Sequence, residues 1–96
     1  MVGGEPRVRV WLPRALREYS GGEDTVELSG ATLAEVIERL NARFPGLGYR
    51  LLDDQGRMRR HVLVFVNEDS VGDAGPDAVR LRDGDTVHIV PSVAGG

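Results

Sequence analysis

Apolar and polar residues alternate from Arg7 to Leu12, with Val8, Val10 and Leu12 on one side and Arg7, Arg9 and Trp11 on the other. A period of two marks a strand with one buried face. Pro13 ends it, Arg14 to Tyr19 suits one helical turn, and Gly21-Gly22 reverses the chain. Alternation resumes over Thr25 to Ser29, with Val26 and Leu28 inward, so the two segments are expected to pair as a loose antiparallel hairpin. The period then changes. Leu33, Val36, Ile37, Leu40 and Phe44 recur at helical spacing and form one apolar stripe. Thr32 supplies the N-cap, Glu35 completes a capping box, and Pro45-Gly46 stops the helix.

Beyond a short turn of helix at Leu47 to Leu52 and a loop at Asp53-Asp54-Gln55-Gly56, residues His61 to Asn67 read as a strongly apolar strand. Asn67 to Ser70 reads as a turn and Val71 to Val79 as an irregular stretch. Arg82-Asp83-Gly84-Asp85 is a tight turn that leads into a last strand, Thr86 to Val90. The order β-β-α-β-(β)-β predicts an α+β domain of two layers, a β-grasp roll: a mixed sheet of four to five strands covered on one face by one main helix. In that arrangement the first and last strands lie parallel at the centre. Residues 1–96 are expected to form this single domain, with 1–5 flexible and 91–96 an extended C-terminal tail.

If the helix covers the valine-rich face, the other face carries Arg9, Trp11, Leu63, Phe65, His88 and Val90. These residues sit on strands that would be neighbours. A continuous apolar surface on a small domain marks a docking site, and Trp and Arg are typical interface anchors. The alternative is that the loop 47–60 lies over Leu63 and Phe65 and buries them.

Composition narrows the chemistry. Ninety-six residues with 41% apolar and 28% charged side chains make one ordinary globular domain. The net charge of −3 gives no support to a nucleic-acid partner. The N-terminus lacks the basic and apolar stretches of a signal peptide, and no apolar run reaches bilayer length, so a cytoplasmic protein without a membrane partner is expected. With no Cys there are no disulfides, thiolate metal sites or cysteine nucleophile. His61 and His88 have no acid or nucleophile at a diagnostic spacing, and the Asp83-Gly84-Asp85 run has too few oxygen ligands for a calcium loop. No catalytic residue and no metal site is read from the chain itself. All twelve cationic side chains are Arg; without Lys, the only amine is the α-amine of Met1.

The remaining feature is the end of the chain, Pro91-Ser92-Val93-Ala94-Gly95-Gly96. Pro91 lacks a ladder N–H and favours extended backbone. The five residues after it span at most about 16–18 Å. Gly95 and Gly96 have no side chains, so a narrow channel can close around them and still reach the carboxylate.

From Leu81-Arg82-Asp83-Gly84-Asp85 through the apolar strand to Pro91 and Gly95-Gly96, the chain resembles the closing pattern of the MoaD/ThiS family of ubiquitin-like sulfur carriers. The helix opening Thr32-Leu33 and the strand end Val64-Phe65-Val66-Asn67 extend the resemblance over Val8 to Gly96. Within the family, Val93-Ala94-Gly95-Gly96 and the stretch from Phe44 to Asn67 look closest to the CysO-type carriers of a cysteine-synthesis route. Molybdopterin-synthase small subunits typically have a second proline where this chain has Ser92.

The resemblance implies a cosubstrate rather than a catalyst. An E1-like adenylating enzyme, using its own ATP and Mg²⁺, would activate the carboxylate of Gly96. Sulfide or a sulfurtransferase would convert it to a thiocarboxylate, and a biosynthetic enzyme, cysteine synthase-like, would accept the sulfur. Gly95, Ala94 and Val93 would give the tail its clearance. The alternatives are the small subunit of molybdopterin synthase, a protein modifier conjugated through Gly96, and a binding module with an incidental Gly-Gly end.

Overall fold

The computed structural model describes residues 4–91. Its elements are β1 (Arg7–Trp11), β2 (Thr25–Ser29), α1 (Leu33–Arg43), α2 (Leu47–Leu51), β3 (Val62–Val66), β4 (Asp69–Ser70) and β5 (Thr86–Pro91), with single 3₁₀ turns at Arg14–Leu16 and Pro76–Ala78. The strands form one mixed sheet in the order β2-β1-β5-β3-β4. The first and last strands, β1 and β5, are parallel neighbours at its centre, and the other pairings are antiparallel. This is the expected β-grasp roll.

Helix α1 starts as the capping box predicts. The Glu35 amide donates to Thr32 Oγ1 at 3.2 Å, and Glu35 Oε1 accepts from the Ala31 amide at 2.8 Å, one residue earlier than the usual reciprocal bond. Its stripe of Leu33, Val36, Ile37 and Leu40 is buried against Val8, Val10, Val26, Val64, Val87 and Ile89 of the sheet. The helix closes at Arg43, and Phe44 becomes its half-buried C-cap rather than its last stripe residue. Helix α2 adds Leu47 and Leu51 to the same core, both fully buried. Gly48 permits this approach, because a Cβ there would meet the Asn41 side chain at 2.8 Å, and its amide donates to Asn41 Oδ1 at 2.9 Å.

Two local expectations are corrected. The stretch from Asn67 to Ser70 is not only a turn: Asn67 adopts φ 57°, and Asp69–Ser70 returns beside Val66 and Phe65 as the fifth strand. Asn tolerates the left-handed region, and its side chain here also bonds the Thr86 amide and Asp85, each at 3.0 Å. The last strand runs one residue further than Val90, with Pro91 opposite Val62. Proline is admitted there because it stands at the end of the ladder.

The Asp83-Gly84-Asp85 turn ties the central strands together. The Arg7 amide donates to Asp83 Oδ1 at 2.9 Å, the Gly84 amide to Arg7 O at 2.8 Å, and the Arg9 amide to Asp85 O at 3.0 Å. Gly84 sits at φ 90°, a region L side chains rarely enter. The start of β5 is thereby fixed against β1, which in turn fixes the place where β5 ends.

Candidate functional site

Strand register decides which side chains meet on the sheet face that α1 leaves open. Trp11 pairs with His88, His88 with Phe65, and Val90 with Leu63. All five project to the same side, since their neighbours Val10, Val64, Val87 and Ile89 are buried on the other. The result is a row Trp11–His88–Phe65 across β1, β5 and β3, with Leu63 and Val90 beside it towards the end of β5. The Trp11 and His88 rings stack with centroids 5.9 Å apart and planes 8° from parallel.

This surface is open. Trp11 retains 40% of its accessible surface and Leu63 44%; Val90 is also exposed, while Phe65 and His88 are half-buried within the row. The loop expected as an alternative lid does not seal it. Residues 47–51, the start of that loop, form α2 and bury Leu47 and Leu51 under the opposite face.

Arg9 lies on the same face one row further from the strand end, paired with Thr86 and Glu27. Its guanidinium bonds Glu27 Oε2 at 3.1 Å, and Arg7 reaches the other oxygen at 3.4 Å. The Arg9 bond, then the Arg7 bond, hold the Glu27 carboxyl below the ordinary carboxylate range. Arg9 is therefore a charged border of the apolar row and not part of it.

The row adjoins the last described residue of β5. Pro91, the last residue of β5, stands opposite Val62, one position beyond the Leu63–Val90 pair. Val93, Ala94, Gly95 and Gly96, read from the sequence as the reactive tail, lie outside the described residues.

Among the described residues, no group of three or more His, Asp or Glu side chains is placed to hold a metal ion, and no helix is long and apolar enough to cross a membrane. His61, read as part of a strand, falls in the turn before β3 and is exposed. Sequence reasoning missed the grooves flanking the strand end. One brings Leu16, Tyr19 and Arg50 to Val62 and Ile89, and a second lies between the Arg57–His61 segment and Gly72–Pro76. No local pattern could reveal them, because each is assembled from stretches far apart in the chain.

The ThiS family model matches residues 10–96. The chain is 42% identical over 91 residues to the sulfur carrier protein CysO of Mycobacterium tuberculosis, covering 93% of this chain and 98% of that protein. A crystal structure of Mycobacterium tuberculosis CysO superposes with a TM-score of 0.83 at 40% identity, over 90% of this chain and 99% of that one. A chain of the Amycolatopsis orientalis BexX/CysO complex superposes with a TM-score of 0.84 at 39% identity, covering 93% and 99%. Small archaeal modifier protein 3 of Haloferax volcanii is 41% identical over 66 residues, covering 69% of this chain and 71% of that protein.

Proposed function

Because the chain belongs to the ThiS family, we propose that it carries sulfur as a C-terminal thiocarboxylate on Gly96. The observation that carries this reading is the juxtaposition at the end of β5. An uncovered row of Trp11, His88, Phe65, Leu63 and Val90 borders Pro91, the last described residue of β5, five residues before Gly96 in the sequence. A partner gripping that row has the C-terminus delivered to it without any rearrangement of the core. The chain is a small carrier-type domain and not an enzyme, like the CysO proteins it matches.

The chemistry belongs to the Gly96 carboxyl and to the partner. A carboxylate resists nucleophiles until one oxygen is converted into a leaving group. In the partner's site a Gly96 oxygen attacks the α-phosphorus of ATP, pyrophosphate departs, and an acyl-adenylate forms. Sulfide sulfur then attacks the carbonyl carbon, the carbon–oxygen bond to AMP breaks, and a thiocarboxylate remains. Absence of Lys and Cys removes the side chains that would otherwise capture the activated acyl group within the same chain. Delivery of this sulfur towards cysteine, or another sulfur metabolite, follows from the likeness to CysO. The likeness to a chain of the Amycolatopsis orientalis BexX/CysO complex supports a partner protein that docks on the carrier.

The test is pyrophosphate exchange. With an E1-like adenylating enzyme and Mg²⁺, labelled pyrophosphate should enter ATP only when the chain is present with a free Gly96. One residue added after Gly96 should abolish the exchange, and exchange that survives the addition would refute the reading. A second reading, conjugation through Gly96 to lysines of other proteins, draws on the likeness to small archaeal modifier protein 3. It predicts covalent adducts on other proteins, which a carrier does not form.

A further inference from the structure

On the helical side of the domain, between α1 and α2, lies a groove of about 460 Å³. None of its lining residues belongs to the apolar row on the open sheet face. Helical periodicity builds one wall. Ala34, Ile37, Glu38 and Asn41 stand at i, i+3, i+4 and i+7, one face of α1 beside the stripe that enters the core. Ala34 and the half-buried Leu52 lie with Ile37 as an apolar floor.

The groove is shaped before anything enters it. Asn41 Oδ1 accepts from the Gly46 and Gly48 amides at 3.1 and 2.9 Å, which clamps the start of α2 to α1. Tyr49 forms the far wall and keeps 68% of its surface exposed, more than Trp11, Leu63 or Val90. The Arg59 guanidinium lies over its ring, 5.2 Å from the centroid, and Arg59 Nε donates to Tyr49 O at 2.8 Å. An aromatic wall that is already ordered costs a partner little entropy on binding.

Charge gives the groove a sign. Its lining holds three carboxylates and no cationic side chain. Two of them are committed to backbone amides: Glu35 to Ala31 at 2.8 Å, and Asp53 to Gln55 and Arg57 at 2.9 and 3.0 Å. Glu38 is exposed and makes no salt bridge among the described residues. Its neighbour Arg39 turns instead to Glu5 and the Ser29 carbonyl.

We propose that this groove docks a cationic amphipathic helix of a partner protein, which sets a leucine-sized side chain on Ala34 and Leu52 and a Lys or Arg against Glu38. The face from Ala34 to Asn41 is roughly 10 Å long, which matches two turns of such a helix. Because α1 covers the sheet face opposite the row, the groove and the row are filled at once without collision. One partner then holds the domain while another works from the row. The site stands independently of the sulfur-carrier reading.

Titration of the isotope-labelled full chain with a synthetic amphipathic helix of Leu, Ala and Lys tests the proposal, alongside the same helix with Glu in place of Lys. The Lys peptide should move the amide signals of Ala34, Glu38, Asn41 and Tyr49 and leave those of Trp11 and His88 in place. The Glu peptide should move neither set. Glu38→Gln should weaken the Lys peptide about threefold, the range of one exposed ion pair. Tyr49→Ala should weaken it about tenfold or more, as for a lost aromatic anchor. Absence of binding, equal binding of the two peptides, shifts centred on Trp11 and His88, or an affinity unmoved by Glu38→Gln would each overturn the proposal. Groove signals that move when the chain alone is concentrated would make a second copy the occupant and overturn the assignment to a different partner.

Discussion

Deleting the same three carbons from two leucines separates the two faces of the sheet. Leu40 is fully buried in the core, whereas Leu63 keeps 44% of its surface in water. Leu40→Ala removes the transfer free energy of the side chain and leaves a cavity that α1 and the sheet cannot close, a loss of about 3–4 kcal/mol. Leu63→Ala forfeits roughly half of that transfer energy and leaves no cavity, since solvent fills the space, so its loss is about 1 kcal/mol. In a domain of this size each kcal/mol moves the melting temperature by about 4–8 °C. The expected shifts are therefore about 5 °C for Leu63→Ala and more than about 12 °C for Leu40→Ala. Urea titration followed by Trp11, the only tryptophan, gives the same comparison as free energies. Docking should rank the pair the other way, with Leu63→Ala weakening the partner complex and folded Leu40→Ala leaving it intact. Equal destabilisation by the two variants would mean that Leu63 is sealed within the protein, which would refute an open docking face.

Three further outcomes follow from named contacts. Phe65→Asp should leave the circular dichroism spectrum unchanged and weaken binding of the adenylating partner by at least about thirtyfold, the range of a central interface anchor; titration calorimetry reads the affinity. Thr32→Ala should cost about 1 kcal/mol in urea unfolding, because the Glu35 amide loses its cap. Hydrogen bonds from arginines depress the Glu5 and Glu27 carboxyls, and bonds from the Arg57 and Gln55 amides depress Asp53. A depressed carboxylate adds stability above its unfolded value and loses it as pH falls through the folded one. Urea midpoints should thus drop as the medium is acidified below the ordinary carboxylate range, and Glu27→Gln should make the drop smaller.

Much of this architecture was legible because its signals are local. The change from period two to helical spacing at Leu33 marks α1, and the Thr32–Glu35 box places its start. Alternation in β1, β3 and β5 separates Trp11, Leu63, Phe65, His88 and Val90 from the core without any knowledge of strand pairing. What stayed hidden depends on tertiary context. Strand β4 has two residues, too few to show a period, and exists because Asn67 reverses the chain against Val66. The side taken by residues 47–51 was ambiguous from their apolar content; the Asn41–Gly48 contact settles it towards α1. The Glu27 partner of Arg9 sits 18 residues away and is set by register alone. The groove that brings Leu16, Tyr19 and Arg50 to Val62 and Ile89 joins segments that no single window of sequence contains.

Intact mass of the chain, measured after incubation with an E1-like adenylating enzyme, ATP and sulfide, addresses the central claim most directly. Replacement of one Gly96 oxygen by sulfur should add about 16 Da, lost again on hydrolysis and never gained when ATP is withheld. An unchanged mass under conditions that activate a known ThiS-family carrier, or a ladder of covalent protein conjugates in place of the single sulfur adduct, would contradict it.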